Sequence, residues 1–291
     1  MLTTGCHKIA SEIYHADPCP EPSLSRGAIV DVLDAPIKAW FNHPRLTKQP
    51  QDKKENPKFD QGKAAHDLLL EGGHNIITIA GFDDWKKKAA QEAREAAYII
   101  GQVPLLEKQF DVVSAMVESA KRQIKECSEL EINDFVSEGD AELTYIWQEK
   151  NGVWCRVKPD WISKNRAKIV DYKTSGLSVN PATFSSHIIK MNYHIQESFY
   201  RRGVTAVDGK EPIFVFMAQE NTPPYLCSFF AIEPLAESIA FEKVNMGIKL
   251  WGECLKSGKW PGYSNRVCWA SASTWQLDDW ENQKKNMEDA A

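Results

Sequence analysis

The sequence predicts an α/β protein in which a mixed central sheet is flanked by helices, with additional helices near the N-terminus. Three observations lead to this fold class. Helical periodicity dominates the chain up to residue 128, segments typical of strands follow between residues 139 and 232, and a long helical pattern covers residues 234–257. This order of elements is typical of a layered α/β core.

The chain is long enough for one elaborated domain. It has 291 residues, of which 43% are apolar and 26% charged, as in ordinary globular proteins. We predict a flexible lead-in over residues 1–21, one domain over residues 22–280 and a polar tail over residues 281–291. No apolar run is long enough to span a membrane and the N-terminus lacks the apolar core of a signal peptide, so we expect a cytoplasmic protein.

Helices are predicted throughout the N-terminal part, with one interruption. The first is predicted to begin after Ser25. Residues 44–60 are polar and contain three prolines, which indicates a long loop. Further helices are predicted over residues 61–72, 82–101 and 104–128, where apolar residues recur at helical spacing.

Strands are predicted over residues 139–148, 153–162, 167–173, 213–218 and 225–232. The continuous apolar run of residues 213–218 is typical of a strand buried on both faces. Residues 225–232 are expected to pair with it in the antiparallel sense across Pro223 and Pro224. A helix over residues 188–202 is expected to end at Gly203, since glycine is common just after a helix.

A Pro-Asp pair, ten further residues and Asp-x-Lys fall within one predicted hairpin. A turn centred on Asn165 and Arg166 would pair Asp160 with Asp171, whose Cβ atoms would then lie about 5 Å apart. Lys173 would project from the same face, because side chains alternate along a strand. Two carboxylates and one lysine at one point suit Mg²⁺-assisted phosphodiester hydrolysis.

The pattern also allows a purely structural interpretation. Pro-Asp followed by Asp-x-Lys occurs by chance in soluble proteins, and a slip of one residue would send the two aspartates to opposite faces.

Two helical segments add candidate polar residues. Gln196 and Tyr200 are four residues apart and therefore share one helix face, where an amide and a phenol could hold a phosphate, a base or a metal-bound water. The alternative is an amphipathic helix with Gln196 in solvent and Tyr200 half buried. In the segment after Gly62, His66 lies beside an apolar stripe, where it is either a ligand or a hydrogen-bonded core residue.

Taken in order, these motifs resemble the PD-(D/E)XK nuclease superfamily. The set is Gly62-x-x-x-His66, Pro159-Asp160, Asp171-x-Lys173 and Gln196-x-x-x-Tyr200. More narrowly, the chain is similar to the branch that contains RecB-type nucleases and the RecE (exonuclease VIII) nuclease domain. Residues 24–41 also resemble the opening helix of RecE-like phage exonucleases. The sequence departs from the superfamily pattern by carrying aspartate at 171, where many members carry glutamate. The resemblance implies a restriction-endonuclease-like core.

The resemblance also implies a metal centre. Asp160, Asp171 and the backbone carbonyl of Tyr172 would be metal ligands, with His66 as a further ligand. Lys173 would orient or help deprotonate the attacking water and offset charge on the phosphate. Such a donor set favours Mg²⁺, with Mn²⁺ able to substitute, over zinc.

Three other residues receive less defined roles. Gln196 and Tyr200 would shape the site and contact the nucleic acid. Glu142 lies in the strand before the hairpin, and related nucleases often have an acid near this position. It would be a group behind the ligands or a ligand of a second metal; the alternative is an exposed strand carboxylate.

The activity implied by the resemblance is that of a metal-dependent 5′-to-3′ exonuclease. It would degrade one strand of linear duplex DNA and leave 3′ single strands for recombination in a bacterial or phage-infected cell. The resemblance further implies a ring-shaped homo-oligomer and a single-strand-annealing partner protein. Two alternatives stay open: a RecB- or Cas4-like nuclease that acts on single strands or as an endonuclease, and a non-catalytic DNA-binding protein of the same fold.

The net charge of −5 is unusual for a DNA-binding protein, because affinity for DNA comes mostly from lysine and arginine. Basic residues are nevertheless clustered and could guide DNA to one face. The clusters comprise Lys48, Lys53, Lys54, Lys58 and Lys63, then Lys86–Lys88, then Arg201 and Arg202. The alternative for each cluster is a solvated surface patch. The seven cysteines have no regular spacing, so neither a disulfide framework nor a zinc site is predicted.

Overall fold

A computed structural model describes residues 1–47 and 56–289. The helices are α1 (Ser11–His15), α2 (Arg26–Asp34), α3 (Pro36–Asn42), α4 (Asp60–Leu70), α5 (Lys88–Ile99), α6 (Glu107–Glu126), α7 (Phe135–Glu138), α8 (Pro181–Lys190), α9 (Tyr193–Asp208), α10 (Pro234–Ser257) and α11 (Thr274–Glu288). The strands are β1 (Gly5–His7), β2 (Ile76–Ile79), β3 (Val103–Leu106), β4 (Gly139–Ala141), β5 (Thr144–Gln148), β6 (Trp154–Val157), β7 (Trp161–Ser163), β8 (Lys168–Ser175), β9 (Ile213–Glu220) and β10 (Cys227–Phe230). Within the described residues, no helix combines the length and apolarity needed to cross a bilayer.

The main sheet has five strands in the order β10-β9-β8-β7-β4. Strands β8 and β9 are parallel and the other neighbours are antiparallel, so the sheet is mixed. The parallel connection from β8 to β9 passes through α8 and α9, as such connections require a long crossover. A second, antiparallel sheet has the order β1-β5-β6, and β2 pairs with β3. The predicted α/β class with a mixed central sheet flanked by helices is confirmed.

Each face of the main sheet packs against its own apolar cluster. Alternation along β8 sends Ile169 to a cluster with Phe199 of α9 and Trp251 of α10. Val170 points the other way, to a cluster with Met116 of α6. Helices therefore cover both faces of β8, and the end of this buried strand carries the candidate site.

Two predicted strands are each broken in the structure, at adjacent points. Residues 139–148 divide into β4 and β5 at Glu142, which has a φ of +57°. Residues 153–162 divide into β6 and β7. The two breaks face each other, because Ala141 pairs with Trp161 and Tyr145 pairs with Val157 in a single register. One hairpin thus begins in the main sheet and ends in the second sheet.

The helix predicted over residues 188–202 is two helices. Asn192 has a φ of +56° and separates α8 from α9. Gly203 does not end α9, which continues to Asp208 and is capped by Gly209. Gly203 is required for packing instead, since a Cβ atom there would lie 2.6 Å from the ring of Trp147.

Other predicted boundaries shift at their N-terminal ends. The helix predicted over residues 82–101 begins at Lys88, and the one predicted over residues 104–128 begins at Glu107 because the preceding residues form β3. Of the loop predicted over residues 44–60, residues 48–55 lie outside the described part of the chain.

The chain divides into two compact units, Met1–Trp260 and Pro261–Ala291. This division differs from the predicted single domain over residues 22–280. In the second unit, Ser273 caps α11 through a reciprocal hydrogen-bond pair with Gln276, and the helix extends into the predicted polar tail.

Two parts of the first 21 residues contact the rest of the chain. Strand β1 pairs with β5, and Asp17 is fully buried in a polar cluster. Ser23 donates two hydrogen bonds to the Asp17 carboxylate, at 2.6 and 2.9 Å. The guanidinium of Arg156, on β6, lies 3.1 Å from Asp17 Oδ1. His43 is 3.3 Å from the other oxygen. Strand pairing and the burial of Asp17 thus connect residues 1–21 to the rest of the chain, and the lead-in stays a prediction.

Substitution of Asp17 by Asn should destabilise the fold. Burial alone would raise the pKa of Asp17, but His43, Arg156 and Ser23 outweigh burial and lower it from 3.8 to about 2. The stabilisation is thus present above pH 4 and is lost as the pH falls towards 2. We expect a loss of about 2 kcal/mol at pH 7, measured by urea denaturation. The difference from wild type should shrink below pH 4, and Asp111→Asn, at an exposed position of α6, should have little effect.

Candidate metal centre

Strand register places three carboxylates side by side. In the kinked hairpin, the shared register puts Glu142 opposite Asp160, and the Glu142 N–H donates to the Asp160 carbonyl at 3.0 Å. In the next hairpin, Trp161 pairs with Val170. Extended by one residue, that register brings Asp160 level with Asp171, and the Tyr172 N–H donates to Asp160 Oδ2 at 3.0 Å.

His66 reaches this group from α4 because Gly62 lets the helix approach β8 closely. A Cβ atom on Gly62 would lie 2.7 Å from Oγ1 of Thr174, a contact that real Cβ atoms do not make. One helical turn later, the His66 ring lies 6.4 Å from the ring of Tyr172, centroid to centroid. The Gly-x-x-x-His motif therefore has a physical basis, since the glycine sets the distance and the turn aims the imidazole.

Three side chains form a group that could hold a metal ion. Ligand atoms of His66, Glu142 and Asp160 all lie within 4.8 Å of one another. His66 Nε2 is 3.5 Å from Glu142 Oε1 and 3.4 Å from Asp160 Oδ2. Two hard oxygen donors and one imidazole suit Mg²⁺ or Mn²⁺.

Asp171 and Lys173 adjoin the group and project from the same face of β8, as the sequence predicts. Lys173 Nζ contacts Asp171 Oδ1 and is 3.8 Å from Asp160 Oδ2. The amide of Gln196, on α9, donates to Asp171 Oδ2 at 2.5 Å. The Tyr172 N–H donates to Asp160 at 3.0 Å. Both oxygens of Asp171 are therefore engaged by protein groups.

Gln196 and Tyr200 occupy different environments although they share a helix face. Gln196 is buried and orients Asp171 rather than facing solvent. The ring of Tyr200 packs edge-on against Phe214 at 6.2 Å, partly buried beside the apolar core. Burial raises the pKa of its phenol well above the ordinary value.

The pKa values of the site residues are shifted by burial and by the charges of their neighbours. Burial would raise the pKa of Asp160, but Lys173 and His66 hold it well below its ordinary value. The pKa of Asp171 is raised, by burial and by the charge of Asp160. Burial would lower the pKa of His66, yet Asp160 and Glu142 raise it to about 9. The negative potential that retains this proton would also attract a divalent cation.

Two residues at the site have contacts in the structure that the sequence motifs did not indicate. Glu142 belongs to the three-residue group itself, whereas the resemblance implied a group behind the ligands or a ligand of a second metal. Lys158, two residues before Asp160, contacts Glu142 Oε2. The Asn151-Gly152 pair is a strong hairpin signal that could have located Glu142 opposite Asp160 to within a residue or so.

Of the predicted basic clusters, Arg201 and Arg202 are neutralised. Arg201 pairs with three glutamates and Arg202 with Glu149, so they do not form a free cationic surface. Lys48, Lys53 and Lys54 lie outside the described residues. Lys58 lies two residues before α4 begins and Lys63 lies in its first turn, beside the candidate site.

A family model described as a PDDEXK-like domain of unknown function (DUF3799) matches residues 43–271 of this chain. No curated protein sequence matches the chain significantly.

Among solved structures, the crystal structure of the "Putative exonuclease" from Eubacterium rectale is similar to this one. The alignment covers 93% of this chain and 98% of the other, with a TM-score of 0.58 and 14% sequence identity, which shows a shared fold. The crystal structure of SSO0001 aligns over 68% of this chain and 88% of its own, also at 14% identity. Its TM-score of 0.28 is too low to indicate a shared fold.

Removal of the imidazole should weaken metal binding in the absence of DNA. We expect His66→Ala to lower the affinity for Mn²⁺ by about tenfold or more, since it removes one of three converging donors. Isothermal titration calorimetry would measure the change. His74→Ala, at an exposed histidine four residues beyond α4, is the matched control and should bind as wild type. Equal affinities for His66→Ala and wild type would remove His66 from the centre.

Proposed function

We propose that this chain, which belongs to the family of PDDEXK-like domains of unknown function (DUF3799), is a metal-dependent deoxyribonuclease. One observation carries the proposal: Glu142, Asp160 and His66 converge to within 4.8 Å, and Lys173 lies 3.8 Å from Asp160. Family membership alone would establish a fold, whereas this arrangement supplies both a cation site and a fixed positive charge for phosphodiester chemistry.

The ligands in this proposal are Glu142, Asp160 and His66, with Asp171 and the carbonyl of Tyr172 completing the set. Mg²⁺ is the proposed ion because most of these donors are hard oxygens, and Mn²⁺ would substitute. When bound, the ion would supply Lewis-acid stabilisation of the negative charge that develops on the phosphate.

The remaining residues position and stabilise. Lys173 has a raised pKa because the attraction of Asp171 and Asp160 outweighs its burial, so it stays protonated and presents a positive charge to the phosphate. Gln196 fixes Asp171, which in turn fixes Lys173. We assign Lys173 to orienting the attacking water and offsetting phosphate charge. Tyr200 would support this part of α9 from the core side.

A groove beside the metal centre offers a path for the nucleic acid. A cavity of about 300 Å³ is lined by Gly62, Lys63, His66, Tyr172 and Thr174. A second cavity of about 310 Å³ shares Gly62, Lys63 and Thr174 with it and extends to Lys58 and Phe59. Among the described residues no carboxylate lines either cavity, and Phe59 is 62% exposed. Lysines with an exposed aromatic ring are the features with which proteins hold single strands.

More specifically, we propose that the deoxyribonuclease is a 5′-to-3′ exonuclease that acts on linear duplex DNA and leaves 3′ single strands for recombination. It is supported by the resemblance of the motifs to RecE-type nucleases and by the name of the Eubacterium rectale protein of the same fold. A ring-shaped homo-oligomer and a single-strand-annealing partner belong to the same proposal.

Digestion of labelled DNA tests the function. We expect Mg²⁺-dependent release of 5′-labelled mononucleotide from linear duplex and no cutting of closed circles. Lys173→Ala should slow release by about a hundredfold or more, because it removes a charge aimed at the transition state. Lys164→Ala, at an exposed turn position of the same hairpin, is the control and should stay active.

Other outcomes of this digestion would change the assignment. Cutting of the closed circle would make the protein an endonuclease, and preference for single strands would favour the RecB- or Cas4-like alternative. Metal binding without cleavage of any substrate would favour a non-catalytic DNA-binding protein.

Substitution in the groove should weaken binding of single strands. We expect Phe59→Ala to lower the affinity for a labelled single-stranded oligonucleotide about tenfold, because stacking of one base is lost. Fluorescence anisotropy in Ca²⁺, which limits cleavage, would measure this. Phe41→Ala removes a ring that is 50% exposed on α3 and serves as control. Equal losses in both variants would show that the groove has no special part in binding.

A further inference from the structure

Lys158 is a buried cation that the proposed mechanism leaves without a task. Its side chain is only 9% exposed, and its Nζ contacts Glu142 Oε2. It precedes Asp160 by two residues, in the segment between β6 and β7 where the kinked hairpin bends. Glu142, on the facing strand, holds its strained φ of +57° at this point. A buried lysine needs a partner, and this one is paired with a member of the three-residue metal group.

The carboxylates have few oxygens left for metal ions. Lys158 occupies Oε2 of Glu142, which leaves Oε1 towards His66. Lys173 and Gln196 each take one acceptor site on the two oxygens of Asp171, so each of these oxygens keeps one lone pair for an ion. Two metal ions about 4 Å apart act as a pair on the attacking and leaving oxygens. With Lys158 in place, Glu142 offers only Oε1, instead of the two oxygens with which a carboxylate bridges a pair of ions.

The net charge of the site also favours one divalent ion over two. Glu142, Asp160 and Asp171 carry three negative charges, and Lys158 and Lys173 carry two positive charges. With His66 neutral as a ligand, the net charge is −1, which one divalent cation turns into +1. A second cation would raise it to +3 in a buried site, where like charges repel strongly. Without Lys158 the site would start at −2, and two cations would leave +2.

We infer that Lys158 is a positioning residue that restricts the metal centre to a single divalent ion. It holds Glu142 as a one-oxygen ligand and supplies, as a fixed ammonium, the positive charge that a second ion would otherwise provide. The inference rests on the proposed function, since it concerns the same metal centre, but it adds the number of ions and the residue that sets it.

Counting Mn²⁺ ions in the absence of DNA tests the inference separately from catalysis. Isothermal titration calorimetry gives the stoichiometry, and electron paramagnetic resonance detects the coupling of two Mn²⁺ ions about 4 Å apart. The full chain should bind one ion with an uncoupled spectrum. Lys158→Met should bind two with a coupled spectrum. Lys158→Arg keeps the charge and should bind one.

Circular dichroism would show that each variant is folded. Should Lys158→Met not fold, Lys158→Leu also removes both the charge and the contact with Glu142 Oε2, and it should likewise bind two ions. Two ions in the wild type, or one ion in a folded charge-removing variant, would overturn the inference while leaving the metal centre intact. Absence of Mn²⁺ binding by the wild type would contradict the proposed function itself, and the inference with it.

Discussion

Glu142, Asp160 and Asp171 lie side by side because two hairpins share the segment around Asp160, and the site depends on this register. A slip of one residue in either hairpin would turn one carboxylate to the opposite face and disperse the group. The site also depends on the break at Glu142. There the chain passes from the main sheet to the second sheet, and the Glu142 carboxylate lies at this point. Packing on both faces of β8 fixes the register, since Ile169 and Val170 belong to different apolar clusters.

Bringing three carboxylates together opposes folding unless cations lie among them. The chain places Lys158, Lys173 and His66 there, each in contact with at least one acid. These three cations balance the three carboxylates without a metal, and when His66 becomes a neutral ligand the site keeps a net charge of −1 that favours a divalent ion. Around the site, the close approach of Gly62 to Thr174 and the hydrogen bond from Gln196 to Asp171 show that helix–sheet packing positions His66 and Asp171. Such support keeps ligand side chains in position before the ion arrives.

The parts of this account that rest on local pattern could be predicted from the sequence. The β7–β8 hairpin has a short turn, so its register and the shared face of Asp171 and Lys173 follow from strand periodicity. The helix at His66 and the buried strand β9 follow from apolar spacing. The division of residues 139–162 between two sheets could not be predicted, because no glycine or proline interrupts residues 140–148 and the break depends on a positive φ at Glu142, which glutamate rarely adopts. The helix bounds near Asn192 and Gly203 were wrong for a related reason. The break at Asn192 and the close contact of Gly203 with Trp147 depend on tertiary packing, which local sequence does not show.

The central claim is that Glu142, Asp160 and His66 converge on one divalent cation. Diffraction from crystals grown with Mn²⁺, recorded at the manganese absorption edge, tests it most directly because anomalous scattering locates the ion without reference to activity. The account predicts one peak about 2 Å from Glu142 Oε1, from an oxygen of Asp160 and from His66 Nε2, with Lys158 still on Glu142 Oε2. A peak elsewhere in the molecule, or a peak bound without Glu142 and His66, would contradict it.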